Sequence, residues 1–391
     1  MRETFLPYCR PEVGEPEIAA IAECIRNGWL TTGPKVQEFE RLFAQAAGVK
    51  HALAVNSCTA ALHIGLLAAG VRPGDDVVMP SLTFVAGAQC TLEIGARPVF
   101  CDVDAETLTA NVEQFHAALT PKTRAIIAMP YAGRPMDAAR LAQFARENGI
   151  ALIEDAAHAA GMLDNGQWAG VQSSLAAYSF YATKNVTTAE GGVLVTNDDE
   201  IAGRVRALSL HGMDKDAWKR YAARGSWRYD VREPGFKYNM PDISAALGIV
   251  QMQRLETMQH RREQIARRYV EGLAGVPGVT FQAPPQGRRD RHSWCMFVLK
   301  IDPKRAGITR DALIEELKAR NIGTSVHYIP THHFSAYRSL ARDLSVTEQV
   351  WSNIISLPLY PGMSDADADD VINAVKSSIP AQNQADAMLA S

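Results

Sequence analysis

The sequence predicts an α/β protein: a mostly parallel central sheet covered by helices on both faces, followed by a smaller α+β domain. Over residues 51–196, short and nearly continuous apolar runs alternate with segments of helical period. That is the signature of parallel strands buried on both faces. Near Pro241 the texture changes to one long helical segment and then to a sparser mixture of strands and helices. The chain has 391 residues, 47% hydrophobic and 21% charged. At about 150 residues per domain, that length suits two or three domains with a large core.

Two helical segments come first. Residues 16–27 place Ile18, Ile21, Ala22 and Ile25 on one face and stop near Gly28, a common helix terminator. A second helix starts at Pro34 and runs through VQEFERLFAQAAG; proline suits the first helical position. The turn between them, 28–33, is polar and aromatic. Strands are expected at 51–56, 76–80, 97–103, 125–130, 151–155, 175–181 and 192–196, and helices at 59–69, 85–94, 112–119 and 138–148. A long helix follows over 242–273, whose arginines are interspersed with Glu256, Glu263 and Glu271 and so read as a solvated face. Then come a strand at 278–281, a basic loop, a strand at 295–301, a helix at 310–320, a strand at 323–328 and a terminal helix at 365–376. The last dozen residues are expected to fray. These elements divide into a large domain over 1–250 and a small one over 251–391.

Composition excludes several classes. Apolar content is too high for a disordered chain, and no run approaches the ~18 apolar residues of a membrane helix. A net charge of −3 argues against a nucleic-acid polymer or an anionic membrane as partner. The start MRETFLPYCRPEVGE lacks a basic stretch followed by an apolar one, so no secretory signal is expected. The six cysteines form no C-x-x-C pair, in keeping with free thiols in a reducing, cytoplasmic compartment.

In open parallel sheets, ligands bind outside the carboxyl ends of the strands. There the sequence places Asn56-Ser57-Cys58-Thr59, whose hydroxyls and amides can cap a helix or hold a phosphate. Phe84 follows the second strand and can stack on a flat ligand or join the core. The run Ala151–Asp155 ends in a carboxylate, with His158 three residues on. A carboxylate in a dry site can hold a proton on a ring nitrogen, although a cap or surface acid is the simpler reading. The segment Ser179-Phe180-Tyr181-Ala182-Thr183-Lys184-Asn185 presents one lysine at a strand end, ahead of Glu190-Gly191-Gly192. An isolated lysine is usually a surface charge. One held beside a serine and near another strand's carboxylate suits Schiff-base chemistry. His327, His332 and His333 cluster in sequence, but no cysteine or supporting pattern accompanies them, so no metal is expected.

Taken together, GWLTTGPKVQEFE (28–40), NSCTAALH (56–63), MPSLTFVA (79–86), EDAAHA (154–159), SFYATKN (179–185), AEGGVLVTN (189–197), GFKYNMPDISAALG (235–248), HYIPTHH (327–333) and SLPLYPGM (356–363) resemble the DegT/StrS-type sugar aminotransferases. The resemblance spans roughly residues 6–379. It implies a fold-type-I enzyme dependent on pyridoxal 5′-phosphate (PLP). Lys184 matches the lysine that bonds the cofactor covalently and shuttles the substrate proton. Asp155 matches the acid that pairs with the pyridine nitrogen, Phe84 the aromatic stacked on the ring, and His158 a side chain near its phenolic oxygen. Cys58, Thr59 and Ser179 match the phosphate cradle. Asn239 matches an asparagine reaching the phosphate from a neighbouring subunit, which implies a homodimer with shared active sites. Cys58 stands where many relatives have glycine, and Met240 where many have arginine.

The GFKYNMPD form, and less specifically HGMDKDAWKR (211–220), is similar to a subgroup that aminates C4 of nucleotide-linked 4-keto sugars. The implied partners are glutamate and a UDP- or dTDP-linked keto sugar. Trp29, Thr31, Thr32, Tyr131, His327 and Tyr328 are the candidate sugar contacts. A keto-cyclitol aminotransferase and a non-catalytic regulatory homologue are the alternatives. A sugar dehydratase of the same fold typically has histidine at the lysine position, so Lys184 argues against it.

Overall fold

The computed structural model describes residues 2–213 and 229–380. Helices α1 (Glu15–Arg26) and α2 (Pro34–Ala47) precede β1 (His51–Val55) and α3 (Cys58–Ala68). The alternation continues through β2 (Asp76–Pro80), α4 (Ala86–Glu93), β3 (Arg97–Cys101), α5 (Val112–Ala118), β4 (Thr123–Ala128), α6 (Ala138–Glu147), β5 (Ala151–Asp155), β6 (Leu175–Ser179), β7 (Gly192–Thr196) and α7 (Asp199–Leu208). Helix α8 (Asp242–Leu273) leads to β8 (Val279–Phe281), β9 (Phe297–Ile301), α9 (Pro303–Ala306), α10 (Arg310–Ala319), α11 (Ser345–Asn353), β10 (Ile354–Leu357) and α12 (Asp365–Ser378).

The main sheet has seven strands in the order β1-β7-β6-β5-β4-β2-β3. Strand β7 runs antiparallel to its neighbours β1 and β6, and the other neighbours pair in parallel. The mostly parallel sheet expected from the near-continuous apolar runs is therefore present. On one face α3 buries Leu62, Ile64 and Leu66 among residues of β2, β4, β5, β6 and β7. Near β6 and β7, Phe39 and Phe43 of α2 meet Tyr178, Phe180 and Trp168 edge-on at 4.9–5.6 Å between ring centres. A second sheet, β10-β9-β8, is antiparallel. Its core is shared with α10, α12 and the far half of α8.

The small domain and α1 differ in part from the sequence reading. Residues 323–328 form no strand. Ile322 bridges Leu6 and Ser325 bridges Ser356, after which the chain turns inward. The third strand of the small sheet is β10, supplied by part of SLPLYPGM, and α11 precedes it. Both elements are too short to show a clear period in sequence. The Ile18–Ile25 face of α1 points outward: these side chains are 58% and 59% exposed, while Glu17 and Cys24 are buried. Glu17 accepts from Gln251 and Arg254 at 2.9 and 2.6 Å, and that polar anchor fixes the helix's rotation. Most of HGMDKDAWKR, and the terminal dozen but for its first residue, lie outside the described residues.

All six cysteines are free thiols. No helix among the described residues is long and apolar enough to cross a membrane.

Strand β5 carries an unusual acid. Glu154 is fully buried and accepts the Gly170 N–H at 2.8 Å, while its second oxygen has no partner. Burial pushes its pKa from the ordinary 4.5 up to about 7. A raised folded-state pKa adds stability that is complete below the unfolded value and is lost as pH rises through the folded value. Stability should therefore fall between about pH 4.5 and 7 by an amount on the order of 3 kcal/mol from this group. Denaturant melts of the Glu154→Gln variant should show that slope removed. An unchanged slope would mean that Glu154 titrates normally.

Candidate active site

Three neighbouring parts of the main sheet deliver the chemistry to one edge. Strand β5 ends in Asp155, β6 ends in Ser179, and β1 leads through Ser57 into α3. A cavity of about 630 Å³ opens there, at the carboxyl ends where parallel sheets bind ligands. Cys58, Thr59, Phe84, Asp155, His158, Ser179 and Lys184 line it, and His327 and Tyr328 come in from the C-terminal part of the chain.

Lys184 sits on a tight turn in which its backbone N–H donates to the Tyr181 carbonyl at 2.9 Å. The next residue holds that turn in place. The Asn185 side-chain amide donates to the Ser293 and Ala160 carbonyls at 2.7 and 3.3 Å. The Lys184 charge acts on Asp155, His158 and His327. Burial raises the Asp155 pKa, while the Ala157 N–H and the Lys184 charge pull it down. Burial, with Lys184 adding to it, drives His158 well below its usual range and His327 down to about 4. Both imidazoles are therefore neutral near pH 7, so they can donate or accept a hydrogen bond without adding charge beside the lysine. The His158 and Tyr328 rings are stacked 6.0 Å apart, with Nε2 2.9 Å from the tyrosine hydroxyl. Phe84 lies 5.9 Å from Tyr328 and stays half exposed at the cavity mouth.

The start of α3 is a candidate seat for an anion. Ser57 caps the helix, accepting the Ala60 N–H at 3.0 Å, and leaves first-turn amides for a ligand. Strand β7 passes directly beneath. A Cβ on Gly192 would come within 2.5 Å of the Ser57 carbonyl carbon and 2.6 Å of the Cys58 nitrogen. This close approach is why Gly192 opens the strand. The Cys58 side chain turns away from the cradle, its thiol 3.4 Å from the Ala177 carbonyl and 4.0 Å from Asp155.

The remaining expected residues lie elsewhere. Thr32, Asn239 and Met240 form one hydrogen-bonded group: Asn239 donates to the Thr32 hydroxyl, which donates to the Met240 carbonyl, each at 2.6 Å. Trp29 donates to the Thr32 carbonyl at 3.3 Å, and the Thr31 carbonyl accepts the Asp242 N–H at 3.2 Å. Asp242 in turn caps α2 through the N–H groups of Gly33, Lys35 and Val36. None of Trp29, Thr31, Thr32 or Asn239 lines the cavity of its own chain. Tyr131 is buried behind the wall, where its hydroxyl donates to the His327 carbonyl.

Sequence reasoning missed Tyr8, which lines the cavity with its ring 5.1 Å from His327. It lies at a bend in an irregular segment with no periodicity, so no local signal marks it. His327 is also separate from the other two histidines of its motif: its Nδ1 lies 2.9 Å from the Ser356 hydroxyl.

The residues present fit PLP. His158 Nδ1 is buried without a partner, an orphan that a ring oxygen can satisfy. Asp155 offers a buried carboxylate to a ring nitrogen, and the α3 amides offer a seat for a phosphate.

Known proteins match nearly the whole chain. The spore coat polysaccharide biosynthesis protein SpsC of Bacillus subtilis is 46% identical over 380 residues, covering 96% of this chain and 97% of SpsC. The crystal structure of the aminotransferase TlmJ from Streptoalloteichus hindustanus superposes with a TM-score of 0.88 at 34% identity, covering 96% of this chain and 99% of TlmJ. DesI in the presence of its TDP-sugar product gives a TM-score of 0.87 at 30% identity, covering 100% and 97%. Residues 11–376 match the DegT/DnrJ/EryC1/StrS aminotransferase family, and the chain belongs to that family of PLP-dependent sugar aminotransferases.

Proposed function

We propose that the enzyme moves an amino group from glutamate to a keto sugar carried on a nucleotide, at C4 of a UDP- or dTDP-4-keto sugar, for a cell-surface polysaccharide, lipid A or antibiotic sugar. The observation that carries the transfer reaction is the convergence of Lys184, Asp155 and His158 on one cavity at the sheet edge. The sugar assignment is supported by DesI, whose structure was determined with its TDP-sugar product, and by the GFKYNMPD segment.

Within that reading each residue has a task. The cofactor supplies an electron sink for the carbon that loses its proton. Lys184 holds the cofactor when idle and moves the proton during transfer. The Asp155 carboxylate keeps a proton on the ring nitrogen. Neutral His158 hydrogen-bonds the ring's phenolic oxygen through Nδ1, and Tyr328 holds its imidazole in place from Nε2. Phe84 covers one ring face. The Thr59 and Ser179 hydroxyls and the α3 amides hold the phosphate. His327 and Tyr328 face the sugar, with Tyr131 supporting the His327 backbone.

The proposed dimer completes the site: Asn239, with Trp29, Thr31 and Thr32 beside it, reaches the partner's cavity. Its position outside its own cavity supports this. So does the exposed apolar surface of Val13, Ile18, Ile25 and Leu30 on the same N-terminal part of the chain. Residues 1–250 then carry the cofactor and 251–391 supply the facing wall.

The test supplies glutamate with UDP- and dTDP-4-keto sugars and, separately, with keto-cyclitols. Amino-sugar and 2-oxoglutarate should form in equal amounts from a nucleotide substrate. Glutamate deamination without turnover of any nucleotide sugar would overturn the assignment, and cyclitol amination would replace it.

A further inference from the structure

Outside the cavity, three ligand-type side chains converge. His332 Nε2 and His333 Nε2 lie 2.7 and 2.6 Å from the same Glu348 oxygen. All three atoms fall within 4.8 Å of one another. The histidines come from the short turn Thr331–His333 and the glutamate from α11. Sequence spacing could not show this group, because the third member is fifteen residues further along the chain than His333.

The geometry points to a binding site for one divalent transition-metal ion of the zinc type, held by His332, His333 and Glu348. Two imidazoles and a carboxylate are a common donor set for such an ion, with a fourth position left for water. Metal–ligand bonds of about 2.0–2.1 Å in tetrahedral geometry put the donors about 3.3 Å apart. The two Nε2–Oε1 separations of 2.7 and 2.6 Å therefore need to widen by about 0.6–0.7 Å. The Glu348 side chain is 43% exposed and can make that shift, and it leaves a path from solvent.

A second observation concerns how His332 is held. Its Nδ1 is 2.6 Å from the Ser81 hydroxyl, which also accepts the His332 backbone N–H at 3.4 Å. A serine hydroxyl can donate to or accept from a ring nitrogen. Without metal, Nε2–H donates to Glu348 and Nδ1 accepts from Ser81. With metal bound, the ring would carry its proton on Nδ1 and donate it as a hydrogen bond to the Ser81 oxygen, freeing the Nε2 lone pair. Such a partner on the far ring nitrogen is the usual support of a metal-bound histidine. His333 is braced by Trp351, edge-on at 4.7 Å.

The site connects two walls of the cavity. Ser81 opens the loop that carries Phe84, and the Thr331 N–H donates to the Ser81 carbonyl at 2.9 Å. Tyr328 lies just upstream of Thr331 on the other segment of this contact. A bound ion would tie these segments together at a distance from the chemistry, as a structural clip.

Chelator-treated holoenzyme should be titrated with Zn²⁺ in a calorimeter. One ion per chain is expected, with a rise in thermal midpoint on binding. His333→Gln and Glu348→Gln should each weaken binding at least ~10-fold, and Ser81→Ala by ~10–100-fold. Retained cofactor colour verifies that the variants fold. No stoichiometric binding by the wild type, or unchanged affinity in both His333→Gln and Glu348→Gln, would overturn the site and leave a hydrogen-bonded His–Glu–His clip, with any zinc an adventitious ion only.

Discussion

Lys184→Ala should abolish turnover, with kcat down by at least ~10³-fold, because positioned proton transfer alone is worth about 10²–10⁴. Covalent attachment of the cofactor is lost as well. The wild type should be yellow as purified, and borohydride should fix the cofactor's mass on the peptide carrying Lys184. The variant should show neither property while still binding added cofactor non-covalently. Lys184 is partly exposed on a turn pinned by Asn185, so its truncation should leave the fold intact. Lys184→Arg separates charge from reactivity. It keeps a positive group facing Asp155, His158 and His327, yet should be about as inactive as the alanine variant. Activity in the arginine variant within tenfold of wild type would remove Lys184 from the chemistry.

How much of this site was legible depended on where its residues sit in the chain. Asp155, Ser179 and Cys58-Thr59 lie at strand ends. Parallel sheets bind ligands at their carboxyl edges, so these positions mark the site from sequence alone. Gly191-Gly192 was visible as a pair, but its reason, the closeness of β7 to the α3 N-terminus, is a three-dimensional fact. Residues contributed by irregular backbone were not legible. Tyr8 shows no period, and the run 323–328 reads as a strand yet pairs only through single bridges at its edge and middle, Leu6 with Ile322 and Ser325 with Ser356. The outward turn of Ile18 and Ile25 was hidden for a related reason. A buried polar anchor, Glu17 with Gln251 and Arg254, outweighed the apolar stripe in setting the rotation of α1. The histidines of 327–333 show the same limit from the opposite side. Proximity in sequence suggested one group, and the fold separates His327 from the pair that meets Glu348.

Asp155→Asn is expected to cost activity without costing stability. The wild-type carboxylate is buried, and burial raises its pKa from the ordinary value despite the Ala157 N–H and the Lys184 charge. A charge held under that penalty destabilises the folded protein unless a cation meets it. Asparagine keeps the shape and removes the charge, so the melting temperature of the cofactor-free variant should equal or exceed that of the wild type. Catalysis should respond in the opposite direction. An opposite charge in contact is worth about 1–3 pKa units to a protonated group, and each unit is a tenfold change in the protonated fraction. The rate of the glutamate half-reaction, followed by rapid-mixing absorbance, should therefore drop by about 10- to 1,000-fold. A stable variant with a half-reaction within threefold of wild type would mean that Asp155 does not face the ring nitrogen. A variant that loses both activity and stability would make the residue a structural one. The separation of the two effects is the signature of a group whose burial is tolerated for its chemistry.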